Sequence, residues 1–166
     1  MLSKDDLLDS LLHECKVAKH LATCLPADKV DERMTPGQRS HLEVVRYLSY
    51  CAIGGTLFIL DGDFDGYHAW QSKHEALTLE QFPAAMDAQM DALREAFARL
   101  QPSDFEREVK HPAGHTLTLK RALLELPLKW MVGYRMQLFL CAKLAGNADI
   151  GTMDCWHGKS APAPAS

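Results

Sequence analysis

Asp61, Asp63 and Asp65, followed by Gly66, stand at the spacing of a calcium loop, D-x-D-x-D-G, in this chain of 166 residues. The twelfth position of such a loop needs a bidentate Glu, and here it is Ser72; the eighth, normally apolar, is His68. Without the bidentate ligand calcium is held weakly, so LDGDFDGYHAW reads as an acidic helix–helix connection. Among the eight histidines, His13 and His20 fall opposite the apolar face of the first helix and read as solvated. His111 and His115 flank the turn Pro112-Ala113-Gly114, and as a metal pair they lack an evident third ligand. The five cysteines (Cys15, Cys24, Cys51, Cys141 and Cys155) are odd in number and form no CxxC pair. That usage fits small buried hydrophobes in a reducing compartment better than a disulfide frame. Cys51 and Cys141 are the nucleophiles worth naming, but apolar helical surroundings raise a thiol pKa and leave it inert. No Ser/His/Asp order, phosphate loop or paired-carboxylate cleft is recognisable.

The elements that would position these groups are helical. Leu8, Leu11, Leu12, Cys15, Ala18, Ala22 and Leu25 share one face at about 100° per residue, which predicts a first helix over residues 4–25, ended by Pro26. Thr35-Pro36-Gly37-Gln38 reads as the start of a second helix, with Thr as N-cap and Pro at the first helical position. That helix is apolar over most of its girth and is expected to run to about Gly54–Gly55 or slightly beyond. A third begins at Thr78, or at Phe82–Pro83, and carries the seam Met86, Met90, Leu93, Phe97 and Leu100 to about Gln101–Pro102. Phe105, Arg107 and Val109 alternate with charged residues, so 104–118 is expected to form a short extended or hairpin segment. Thr118 then caps a final long helix over Leu119–Gly146, with Pro127 placed to kink it and Gly146 to stop it. GTMDCWHG, residues 151–158, is placed to pack Trp156 back on the bundle. These lengths make an all-α four-helix bundle, a single domain over 1–158 with a disordered tail over 159–166.

The chain resembles the DinB-like (DNA-damage-inducible) bundles, which include the YfiT-type proteins. The likeness covers about residues 5–146 and rests on Ser40-x-x-Glu43-x-x-x-Tyr47 and on Tyr134-Arg135-Met136-Gln137-Leu138 followed by Lys143-Leu144-Ala145-Gly146. In metal-binding members, as the resemblance implies, one His on the second helix and two His four apart on the last hold a divalent metal. Those positions here are Tyr47, Trp130 and Tyr134. An indole nitrogen offers no lone pair, and a neutral phenol is a poor ligand near pH 7. The resemblance therefore implies the bundle with its metal-binding triad replaced, and no cofactor is expected. The three rings either fill the vacated volume or line a small-molecule pocket, the fill being the ordinary role of rings at helical spacing. Arg135 and Gln137 are assigned to helix contacts or an interface.

A net charge of −4 and the absence of a Lys/Arg cluster argue against nucleic acid as a partner. The longest apolar run, Cys51–Leu60, is too short to span a bilayer, and the acidic N-terminus does not resemble a signal peptide, so a cytoplasmic location is expected. The expected function is metal-free small-molecule binding or protein interaction, as a homodimer to which Val17 and Leu21 contribute. The alternative is a metal-dependent thiol transferase or hydrolase of the DinB-like type, holding Zn, Ni or Fe through non-standard ligands.

Overall fold

The computed structural model describes residues 3–160. Within the expected tail, 159–166, residues 161–166 lie outside the described residues.

Helix α1, Lys4–Thr23, starts on a capping box in which the Ser3 hydroxyl accepts the Asp6 N–H and the Asp6 carboxylate accepts the Ser3 N–H at 2.9 Å. The second helix starts later than the Thr35 signal implied. Gly37 sits at φ +87°, a left-handed conformation that closes a turn and cannot open a helix. Ser40 is the true N-cap: its hydroxyl accepts the Glu43 N–H, and Glu43 reaches back to the Ser40 N–H at 2.6 Å. From there α2 runs His41–Leu48 and α3 runs Cys51–Asp61, with a bend of 43° between them.

One buried side chain explains how the bend survives in an apolar interior. Gln89 is fully enclosed; its Oε1 accepts the N–H groups of Ala52 and Ile53 at 3.0 and 3.2 Å, and its Nε2 donates to the Leu48 carbonyl at 2.9 Å. It thus satisfies backbone groups that a helix break otherwise leaves bare. Gly54 and Gly55, expected near the end of this helix, lie buried well inside α3.

Helix α3 ends at Asp61 on Gly62 (φ +83°), and a further helix, α4, spans Asp65–His74. The acidic motif is therefore split between two helices and a tight turn, in which Asp63 accepts the Asp65 N–H at 3.0 Å. It does not wrap round a single point as a calcium loop must. Helix α5, Phe82–Ala98, begins at Phe82–Pro83, the later of the two expected starts, and ends before the expected Gln101–Pro102. It buries Met86, Met90, Leu93 and Phe97 of the seam, and Leu100, just past its end, is buried too. Strands β1, Glu108–Lys110, and β2, Thr116–Thr118, form the short antiparallel hairpin, turning at Gly114 with His111 and His115 stacked beside it.

The final rod begins as α6, Leu119–Leu123, takes a wider π turn over Leu124–Leu128 that carries Pro127, and continues as α7, Lys129–Leu144. Proline has no N–H for the α ladder, and one wide turn absorbs that loss without ending the rod. Helix α8, Thr152–His157, folds back onto α1. It buries Asp154 and Cys155, while Trp156 stays half exposed with the Arg135 guanidinium 4.6 Å over its ring. The four rods of the bundle are α1, the bent α2–α3 pair, α5 and α6–α7, an all-α architecture with one small hairpin before the last rod. Val17 and Leu21, the residues adduced for a dimer, are buried by this chain itself; the backbone of Val17 lies directly under Gly158, just after α8. Among the described residues no single helix is long and apolar enough to cross a membrane.

Candidate functional site

Tyr47 projects from α2 and Tyr134 from α7, and their ring centroids lie 4.3 Å apart. Trp130, one turn before Tyr134, does not reach this pair directly. It joins through a chain of rings: Tyr47 to Tyr50 at 5.4 Å, Tyr50 to Tyr67 at 5.5 Å, and Tyr67 to Trp130 at 6.3 Å. Five aromatic side chains from α2, α4 and α7, and from the joint before α3, thus run in contact through the space between the second and last rods. Tilted and edge-on packing of this kind adds to simple burial.

The two glycines of α3 make that chain of rings fit. A Cβ on Gly54 would stand 2.8 Å from the Tyr67 ring, and one on Gly55 would stand 2.9 Å from the Trp130 ring. Both rings therefore rest on bare backbone, a close approach open to glycine alone.

These donors do not fit a divalent metal. Tyr47 is 8% exposed, and burial, followed by the neighbouring Cys51 and tyrosine hydroxyls, pushes its hydroxyl further above the ordinary tyrosine range. Loss of the phenol proton, which ligation needs, is thereby opposed. Trp130 offers only an N–H donor.

On the outer side of the rings lies an open cleft of about 360 Å³ lined by Arg39, Glu43, Arg46, Tyr47, Tyr50, Gln71, His74 and Glu75. Arg39, in the loop before α2, lays its guanidinium 4.6 Å from the Tyr47 centroid and 5.0 Å from that of Tyr134, and donates to the Tyr134 hydroxyl at 2.6 Å. Arg46 points its Nε at the Leu77 carbonyl, 2.9 Å away. Neither arginine has a carboxylate partner among the described residues, whereas Glu43 is paired with Arg33 at 2.7 Å. The cleft therefore sets two arginines and two carboxylates, Glu43 paired with Arg33 and Glu75, over an aromatic floor. His74 stacks between Tyr50 and Trp70 and is held below the ordinary histidine range by burial, against the Trp70 carbonyl that its Nδ1 contacts at 2.9 Å. Arg39, Arg46, Tyr50 and His74 were not singled out in the sequence. A lone Arg before an N-cap carries no periodic signal, and the α4 that brings His74 back against Tyr50 begins inside the acidic stretch whose sequence reads as a connection.

The thiols named earlier are enclosed. Burial raises Cys51 well above the ordinary thiol range, where its Sγ meets Met131 Sδ at 3.3 Å, and raises Cys141 to about 11. At the far side of α1, His20 is not simply solvated: its Nε2 lies 2.8 Å from Asp154 Oδ1 because α8 lands on that face.

No family model and no curated protein matches this sequence. Its fold does match solved structures. A DinB-like protein from Bacillus subtilis, YjoA, superposes with a TM-score of 0.66 at 17% identity, covering 84% of this chain and 91% of that one. A mutant of the mycothiol-dependent maleylpyruvate isomerase superposes with a TM-score of 0.55 at 13% identity, over 82% of this chain and 60% of the isomerase. The architecture is the DinB-like fold.

Proposed function

We propose that this chain, a bundle with the DinB-like fold, binds a small planar organic anion in the cleft beside Tyr47 and Tyr134. The observation that carries the reading is Arg39, spread over both rings with its charge unpaired among the described residues. A guanidinium already held flat by stacking and by the Tyr134 hydroxyl loses little freedom when it pairs with a carboxylate. Arg46 supplies a second positive charge, Tyr47 and Tyr50 an aromatic floor and His74 a flat wall, and the anionic group of the ligand must face the arginines, away from Glu75 in the same lining. Trp130 acts at one remove, as the far end of the row of rings that holds Tyr47 in place.

The metal-dependent thiol transfer implied by the family resemblance needs donor atoms at Tyr47, Trp130 and Tyr134 that these side chains do not supply, and no step is carried over from it. Among the described residues the cleft is lined by no thiol, and His74, its Nδ1 taken by the Trp70 carbonyl, serves as a wall, so the reading is of binding rather than catalysis.

Titration calorimetry of aromatic carboxylates against their neutral amides tests this. The carboxylates should bind with Kd below about 1 mM, and Arg39→Ala should weaken them roughly tenfold or more, the loss of one charge-assisted contact. Equal binding of acid and amide, or no heat from any carboxylate at millimolar concentration, would sink the reading.

A further inference from the structure

We infer that His20, Cys24 and Asp154 form a Zn²⁺ site, separate from the aromatic cleft and away from the positions at which the family resemblance places a metal. His20 and Cys24 stand four residues apart, on the last turn of α1 and at its C-cap, and so share one face. Asp154 arrives from α8. The three donor atoms, one from each residue, lie within 4.8 Å of one another.

The arrangement of contacts points to an ion more than to a relay. A nucleophile–imidazole–carboxylate relay uses the two ring nitrogens for two different partners. Here Asp154 Oδ1, at 2.8 Å, and Cys24 Sγ, at 3.8 Å, both approach the same nitrogen, Nε2 of His20. One proton on Nε2 serves the carboxylate, and the Cys24 thiol, not served by it, donates instead to the His20 carbonyl in a long contact of 3.6 Å. An ion at the point where the three converge serves all of them.

Size agrees as well. Metal bonds of about 2.0–2.3 Å in a tetrahedron separate their donors by roughly 3.3–3.6 Å. The Nε2–Oδ1 and Nε2–Sγ separations of 2.8 and 3.8 Å would each change by about half an ångström or less. The sulfur and carboxylate, within 4.8 Å of each other, would close by up to about 1.3 Å, which one rotamer adjustment of Cys24 supplies. Imidazole, thiolate and carboxylate together select Zn²⁺ over Mg²⁺ or Ca²⁺, and three protein ligands leave a fourth position for water.

The frame around the donors is built. Asp154 is 3% exposed, and its second oxygen, Oδ2, accepts the Gly151 N–H at 2.9 Å, which aims Oδ1 at His20. The backbone carbonyl of Cys24 accepts from Asn147 Nδ2 at 3.0 Å, anchoring the end of α1 to the segment that leads into α8. Such outer contacts orient metal ligands. The Cys24 thiol, raised by burial in the free protein, gives its proton to solvent as it binds, so uptake releases acid. The ion would clip α8, and with it the end of the described chain, to α1.

Protein prepared without an affinity tag and stripped with EDTA should be titrated with Co²⁺ and then Zn²⁺. The expected result is a thiolate-to-cobalt charge-transfer band with tetrahedral visible bands, all displaced by stoichiometric Zn²⁺. Cys24→Ser should abolish the thiolate band, and His20→Gln or Asp154→Asn should weaken binding by more than about 100-fold, beyond the effect of losing an outer-shell contact. The titration of the unaltered protein needs no variant to fold, and circular dichroism checks the three that are used. Absence of the thiolate band in the unaltered protein, its survival in Cys24→Ser, or undiminished affinity in the other two variants would overturn the site.

Discussion

Arg135 on α7 donates its Nε to Glu14 Oε2 on α1 at 2.7 Å, with the arginine fully enclosed and the glutamate 9% exposed. The guanidinium also donates to the Cys155 carbonyl at 2.8 Å, so one buried cation joins α1, α7 and α8; its Nη2 has no partner among the described residues. Removing one partner of a buried pair strands the other charge, while replacing both by apolar groups does not. Glu14→Ala should therefore lower the unfolding free energy by about 3–5 kcal/mol. The double change Glu14→Leu with Arg135→Met should recover most of that loss. Urea unfolding of the unaltered protein and the two variants measures both effects, and a double variant as weak as the single would contradict the account.

Gln89 predicts a different kind of loss. Its amide closes three contacts with the backbone at the joint between α2 and α3. Gln89→Leu keeps the volume but leaves those groups without partners, at about 1–3 kcal/mol for each group left bare. The expected outcome is a lower urea midpoint together with faster amide exchange at Ala52 and Ile53. Unchanged exchange at those two amides would show that the joint does not depend on the side chain.

Periodicity made the four rods legible, because each buries a broad apolar face; the seam Met86–Phe97 of α5 is the clearest case. The Thr35 signal is ambiguous in sequence because a Pro-Gly pair serves a turn as readily as a helix, and only φ at Gly37 distinguishes them. The aromatic positions Tyr47, Trp130 and Tyr134 could be named from the resemblance, yet the row that links them runs through Tyr50 and Tyr67, which depends on how α4 folds back. His20 illustrates the same limit: α1 alone places it on a polar face, and a six-residue helix more than a hundred residues later covers it. Contacts made by short elements distant in sequence leave no periodic trace.

The glycine beneath Trp130 offers a test whose sign can be reversed. Gly55→Ala gains about 1 kcal/mol of helix propensity in α3, against about 1–3 kcal/mol for forcing a methyl into a packed ring 2.9 Å away. In the unaltered background the clash should win, lowering Tm and shifting tryptophan emission. With Trp130→Leu already in place the ring is gone, and the same Gly55→Ala change should raise Tm. A rise in both backgrounds would mean that Trp130 does not rest on the helix as described.

His74 sets a pH dependence whose direction follows from its burial. Its folded pKa lies below the ordinary histidine value of 6.5, because enclosure beside Tyr50 and Trp70 penalises the charged ring, with nearby Lys73 adding to the effect and the Trp70 carbonyl opposing it. Between the two values the unfolded chain binds more protons than the folded one, so stability rises with pH through that window. The contribution is fully present above 6.5 and is lost as pH falls toward the folded pKa, below which it contributes no further slope. His74→Phe removes the titrating group and keeps a ring to stack on Tyr50. Thermal midpoints recorded from pH 7.5 down to about 5 should fall more steeply for the unaltered protein than for His74→Phe. Parallel curves would show that some other group governs the window.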